Sequence, residues 1–219
     1  MNTVTVNTKG VIQAFTPSKV VCIGRNYIDH IKELGNEMPD EMVVFMKPNS
    51  AISTTLSATH SCEPLHYEGE LCFLYYEGRF SAIGFGLDLT KRMLQSKLKE
   101  KGLPWDRAKA FDGAAVLSDF IAIENTTDNF TLSLMINNHV KQSGGTSLMM
   151  YKPDTILKAI QEFTTLEDGD IVMTGTPKGV GVINCGDHFK AQVFLDNKDK
   201  SKDQNKEKIV LLNREWLAQ

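Results

Sequence analysis

At 219 residues the chain suits one large domain, or a domain with a small appendage. Its content of 42% hydrophobic and 23% charged residues is that of an ordinary soluble globular protein, and a formal net charge of −3 gives no electrostatic case for nucleic acid or an anionic membrane. No apolar run is long enough to span a bilayer and the N-terminus lacks a signal peptide's apolar core, so a cytoplasmic protein is expected.

Residues 1–19 read as a short strand–turn appendage, and residues 20–219 as a single domain. Residues 19–24 form an apolar strand ending at Gly24, and residues 26–34 suit a short helix stopped by Gly35. Residues 42–47 read as a strand halted by Pro48. A longer aromatic and aliphatic run, residues 66–76, is followed by Glu77-Gly78 and a returning strand, residues 79–88. Thr90 is expected to cap a helix over residues 91–101, with Gly102 and Pro104 ending it. Residues 129–137 alternate as a strand, with Asn137-Asn138 as a hairpin turn. Asp154 is expected to cap a helix with Ile156, Leu157, Ile160 and Phe163 on one face. Residues 171–174, 189–195 and 209–217 read as further strands, the last alternatively as a turn of helix. The charged stretch 196–208 reads as a solvated loop or disordered segment. Many short strands and few helices argue an α+β fold, mostly antiparallel sheet. Cys22, Cys62, Cys72 and Cys185 show no paired spacing, so neither a disulfide framework nor a structural zinc site is expected.

The strand 66–76 carries Glu68 and Glu70 on one face, because strand side chains alternate. Burying two like charges together is costly, and a divalent cation is the simplest way to offset it. On its own, such a pair is more often a solvated strand edge. Asp88 can supply a third carboxylate if the hairpin register allows. A two-residue Glu77-Gly78 loop with regular pairing sets Asp88 opposite Tyr67, on the wrong face. A longer loop or one bulge sets it opposite Glu68, and this second arrangement is expected. Three carboxylates with open positions suit a hard ion such as Mg²⁺ or Mn²⁺.

Four further constellations are ambiguous singly. His30 and Glu33 stand at i,i+3, where a carboxylate can orient an imidazole that takes a proton from water. Arg92 and Gln95 repeat that spacing after Asp88 and could bind a carboxylate or keto oxygen. Lys109, between small and aromatic residues, could offset negative charge on a ligand. The loop 174–181 lacks a P-loop's Gly-Lys-Ser/Thr, but its backbone amides and the Thr176 hydroxyl suit a substrate carboxylate.

Taken in order, Gly24-Arg25-Asn26-Tyr27-x-x-His30-x-x-Glu33, Phe45-x-Lys47-Pro48, His66-Tyr67-Glu68-x-Glu70-Leu71, Leu87-Asp88-x-Thr90-x-Arg92-x-x-Gln95, Lys101-Gly102-Leu103-Pro104-Trp105, Ala108-Lys109-x-Phe111, Leu166-x-x-Gly169-Asp170 and Thr174-Gly175-Thr176-Pro177-x-Gly179-Val180-Gly181 resemble the small single-domain members of the fumarylacetoacetate hydrolase family. Met93 stands after Arg92, where members commonly carry Asp. The resemblance implies a mixed β-sandwich roll and a homodimer. It implies Mg²⁺ or Mn²⁺ held by Glu68, Glu70 and Asp88, with catalysis by His30, Glu33 and Lys109. Arg25, Arg92, Gln95 and Thr176 map onto positions that contact substrate.

The expected reaction is hydrolysis of the carbon–carbon bond of a small 3-acylpyruvate such as acetylpyruvate, through an enolate that the ion stabilises. Oxaloacetate decarboxylation or tautomerisation, and isomerisation or hydrolysis of an unsaturated 2-oxo diacid, share that enolate. A non-catalytic metal-binding protein is the alternative from another class.

Overall fold

The computed structural model describes residues 1–196 and 208–219. Two sheets carry the fold, and the larger has ten strands. Its main path uses β1 (Val4–Thr8), β2 (Val11–Phe15), β3 (Lys19–Gly24), β4 (Val43–Pro48), β5 (Gly69–Tyr76), β6 (Arg79–Asp88), β8 (Phe120–Ala122) and β11 (Ile171–Met173), in the order β2-β1-β8-β6-β5-β11-β3-β4. Off that path, β7 (Ala115–Leu117) pairs with β6 and with the two-residue strand Ile52–Ser53. Parallel pairing joins β1 to β8, β11 to β3 and β7 to Ile52–Ser53, and the other pairs are antiparallel. The second sheet is antiparallel throughout, from β9 (Phe130–Ile136), β10 (His139–Gly145), β12 (His188–Asp196) and β13 (Lys208–Leu217), in the order β10-β9-β12-β13. The segment 1–19 thus supplies the β1–β2 hairpin at one edge of the large sheet.

Strand β5 is buried on both faces, which is why its sequence is apolar rather than alternating. Leu71 and Phe73 join the core between the sheets, with Phe85, Phe130, Leu132, Phe189 and Val193. Cys72 and Leu74 face the other way, against Val20, Cys22, Phe120 and Met173. Cys62 and Cys185 are exposed, and all four cysteines are free thiols.

The helices are short: α1 (Ile28–Glu33), α2 (Arg92–Glu100), α3 (Asp106–Lys109) and α4 (Pro153–Gln161). Two expected caps are corrected. Lys91, not Thr90, is the N-cap of α2, and the Thr90 hydroxyl turns inward to Glu68. Lys152 is the N-cap of α4, because Pro153 has no N–H to lose at N1. Asp154 instead lies in the first turn and accepts a hydrogen bond from Thr126. Since α4 stops at Gln161, Phe163 falls beyond it and is exposed, while Ile156 and Ile160 are buried. The three-residue strands β7 and β8 carry no alternation long enough to read. Residues 197–207, most of the expected solvated loop, lie outside the described residues, and 209–217 forms a strand.

The β5–β6 hairpin sets up the rest. Glu77 and Gly78 both have positive φ, 49° and 80°, forming a two-residue turn that pairs Tyr76 with Arg79. Regular pairing from there would misplace Asp88. Between Phe80 and Ala82 the register shifts, because Ser81 is an extra residue opposite the Tyr75–Leu74 step. Beyond the bulge Gly86 faces Glu70 and Leu87 faces Gly69, and the Asp88 amide donates to the Glu68 carbonyl at 2.9 Å. The expected bulge is therefore present.

Candidate active site

Glu68 lies in the step between the short strand His66–Tyr67 and β5, Glu70 is the second residue of β5, and Asp88 ends β6. All three are buried, and each offers a carboxylate oxygen within 4.8 Å of the others'. Burial of three such groups requires positive charge nearby. Lys109, at the end of α3, puts its ammonium 2.6 Å from Asp88 Oδ2 and 3.1 Å from Glu68 Oε2, and donates to Thr90 Oγ1 at 2.6 Å. Lys47, on β4, is fully buried with its ammonium 2.8 Å from Asp88 Oδ1, and it donates to the Lys109 carbonyl. Arg92 pairs with Glu68 from the first residue of α2.

The distribution of that charge is uneven. Burial alone would raise the Glu68 carboxyl, but Lys109 and Arg92 outweigh it and hold the group well below the usual range. The Lys109 ammonium also loses by burial, and Asp88 and Glu68 more than recover it, so its pKa is raised. Among the described residues Glu70 has no ion-pair partner, and Lys109 lowers it only weakly. Burial, then Asp88 and Glu68, push it well above the ordinary carboxylate range, and the Gly175 amide at 2.7 Å offsets this only in part. Gly175 reaches that position with φ +94°, where a Cβ would lie 2.8 Å from Asn26 Cβ. A buried carboxylate short of positive charge, beside two more with hard oxygen donors, fits a divalent cation such as Mg²⁺ or Mn²⁺.

The remaining expected residues close around this floor. His30, buried on α1, has Nδ1 3.2 Å from Glu33 Oε2, and Glu33 Oε1 accepts the Gly179 amide at 2.9 Å. Arg92 donates to Gln95 Oε1 at 2.8 Å, so Gln95 and Glu68 orient its guanidinium, while Met93 points to solvent. The Thr176 hydroxyl donates to the Gly69 carbonyl at 2.9 Å and accepts from Gln142 Nε2 at 2.7 Å. Arg25 stands in the left-handed region, φ 55°, with a 3.4 Å contact from Nη1 to the Glu37 carbonyl. A small cavity of about 40 Å³ is lined by Arg25, His30, Glu68, Glu70, Asp88, Arg92, Gln95, Lys109 and Thr176. Glu33 stands behind His30 rather than in the wall.

Three residues were not singled out as site residues from sequence. Lys47 sits in the Phe45-x-Lys47-Pro48 motif, where a lysine inside an apolar strand was the available signal. Thr90 read as a cap. Gln142 gave no signal, being one of several polar residues in β10. It is buried, accepts the Gly69 amide at 2.8 Å, and donates to the Pro177 carbonyl at 2.8 Å as well as to Thr176.

Comparison with known proteins agrees with this geometry. The family model described as fumarylacetoacetate (FAA) hydrolase C-terminal matches residues 19–209. The Escherichia coli protein named oxaloacetate tautomerase YcgM is 40% identical over 200 residues, covering 84% of this chain and 91% of that one. A crystal structure from Oleispira antarctica aligns with TM-score 0.82 at 32% identity, over 97% of this chain and 98% of that one. Fumarylpyruvate hydrolase from Pseudomonas aeruginosa, solved with Mn²⁺ and pyruvate, aligns with TM-score 0.79 at 28% identity, over 87% and 91%.

Proposed function

The chain belongs to the fumarylacetoacetate hydrolase family, and from that premise we propose that it is a divalent-metal-dependent enzyme interconverting the enol and keto forms of oxaloacetate. The observation that carries the reading is the meeting, in one small cavity, of the Glu68–Glu70–Asp88 cluster and a histidine oriented by Glu33. The E. coli relative's name points to the same chemistry. Glu68, Glu70 and Asp88 would hold Mg²⁺ or Mn²⁺. Bound there, the ion supplies Lewis-acid polarisation of a 2-oxo oxygen, which acidifies the neighbouring C3 protons.

The chain's own residues do the rest. Arg92 and Gln95 present N–H donors to the substrate's carboxylate. Glu33 engages Nδ1 of His30, which leaves Nε2 to take the C3 proton in one direction, the enolate oxygen then gaining a proton from solvent, and to return it to C3 in the other as the enol oxygen loses its proton to solvent. Lys109 adds fixed positive charge beside the reacting oxygen, in a site that burial keeps at low dielectric. The test is direct. Protein with Mg²⁺ should speed the decay of enol-oxaloacetate absorbance, and EDTA and His30→Ala should each abolish the gain. An unaltered decay rate refutes this function.

Hydrolysis of acylpyruvates is the second reading, favoured by the same dyad and by the Pseudomonas neighbour. There Glu33 with His30 would deprotonate a water that adds to the distal carbonyl. The C–C bond then breaks, giving pyruvate after protonation and a carboxylic acid. Release of pyruvate from acetylpyruvate distinguishes it from tautomerisation.

A further inference from the structure

The cavity wall carries two more cations, Arg25 and Lys99, that no step above uses. Among the described residues neither forms an ion pair with a carboxylate. Lys99 Nζ instead donates to Asn36 Oδ1 at 2.9 Å and lies 5.9 Å from the centre of the Trp105 ring. Arg25, Arg92 and Lys99 line the one cavity, and burial, then Arg25 and Arg92, hold the Lys99 ammonium below the usual lysine range. Arg25 adds backbone strain, as a non-glycine residue in the left-handed region.

Position along α2 gives this cluster a direction. Arg92, Gln95 and Lys99 stand at i, i+3 and i+7, one face of a helix, and all three line the cavity. Arg92 touches Glu68, so it marks the carboxylate cluster's end of that row. Lys99 follows two turns later, about 10 Å along the axis at 1.5 Å per residue. Lys47 and Lys109 pair with Asp88, and Lys109 and Arg92 with Glu68, while Glu70 is left to a divalent ion, so none of the three acids draws on Arg25 or Lys99. Arg25 and Lys99 are therefore surplus charge, away from the cluster.

We propose that Lys99, with Arg25 beside it, forms a subsite for the distal carboxylate of a 2-oxo diacid. The cavity then selects four-carbon dianions such as oxaloacetate over 2-oxo monoacids of the same length. This rests on the reading above in which the carboxylate cluster grips the 2-oxo end. Arriving carboxylate replaces the Asn36 amide oxygen as the acceptor for Lys99 and relieves its repulsion from Arg25.

Calorimetric titration of the Mg²⁺-loaded protein with oxaloacetate and with 2-oxobutyrate, which carries a methyl group in place of the distal carboxylate, tests the subsite. Wild type should bind oxaloacetate about tenfold tighter or more, the range of a charged hydrogen bond. Lys99→Met should remove most of that preference while moving 2-oxobutyrate affinity less than twofold, and Lys99→Arg should restore it. Equal affinities in wild type, or equal losses for both ligands in Lys99→Met, overturn the subsite alone. Wild type that binds neither acid overturns the subsite and the proposed function together.

Discussion

The Asp88 amide meets the Glu68 carbonyl across the hairpin at 2.9 Å, and it does so because Ser81 is one residue too many for regular pairing. Side chains alternate with a period of two, so a one-residue slip exchanges the faces of every residue beyond it. Deleting Ser81 removes the surplus residue and leaves Phe80 and Ala82 opposite the consecutive residues Tyr75 and Leu74, so Asp88 should stay opposite Glu68. The expected result is a folded variant whose Mn²⁺ affinity stays within about twofold of wild type, about 0.4 kcal/mol. A hundredfold loss in a folded deletion variant would show that the bulge itself, and not the pairing beyond it, sets the site.

Lys109 is held between Glu68 and Asp88, both buried. Lys109→Met removes one partner and leaves the others uncompensated, which costs about 3–5 kcal/mol. A divalent ion should replace part of the missing charge. Mg²⁺ at a hundred times its dissociation constant contributes about 2.7 kcal/mol to either protein, and tighter binding to the variant would enlarge that gain. Thermal melts with and without Mg²⁺ should therefore show a larger ion-induced rise in Tm for Lys109→Met than for wild type. A smaller rise contradicts the charge assignment.

Asp170 gives a pH dependence separate from the site. Burial raises its carboxyl, but hydrogen bonds from Lys19, the Glu167 amide and Ser18 outweigh that and lower it below 3.8. A folded-state pKa below the unfolded one stabilises the protein above the unfolded value, and the gain is lost as pH falls through the folded one. Asp170→Asn should cost stability at pH 7 and flatten the stability profile below about pH 4, as read by urea denaturation. A profile of wild-type steepness in the variant would remove Asp170 as its cause.

Gln142 ties the loop 174–181 to the backbone between Glu68 and Glu70. It accepts the amide of Gly69, the residue between Glu68 and Glu70, and donates to Thr176 and Pro177. Gln142→Ala leaves several buried polar groups unpaired, at about 1–3 kcal/mol each. Lower Tm accompanied by weaker Mn²⁺ binding is expected, and the conservative Gln142→Glu should not rescue, because a carboxylate cannot donate to Thr176. Full metal affinity in Gln142→Ala would confine its part to stability.

The acids, the dyad and the Arg92–Gln95 pair were legible in the sequence because each is a local pattern, a strand or helix spacing within one element or one hairpin. Even the bulge followed from asking which register lets Asp88 join Glu68. Lys47 and Gln142 were not legible as site residues, since the groups their side chains meet lie far along the chain, Asp88 and the Lys109 carbonyl for Lys47 and Gly69, Thr176 and Pro177 for Gln142. Thr90 misled for a related reason. Its hydroxyl could cap α2 by local rules, but the buried Glu68 and Lys109 are better partners than an amide that solvent can reach. The short strands β7 and β8 are fixed by their contacts with β6, not by composition.

Glu70 and Asp88 belong to β5 and β6, neighbouring strands that are themselves paired on their outer sides, β5 with β11 and β6 with β7 and β8. Neither strand can shift without unpicking a sheet, so the acidic floor tolerates little redesign. The walls differ: α1, α2 and the loop 174–181 are held by side-chain ties such as Glu33 to Gly179, Arg92 to Glu68 and Gln142 to Thr176. Attempts to alter which acids this scaffold accepts should leave the two strands untouched and vary those three segments.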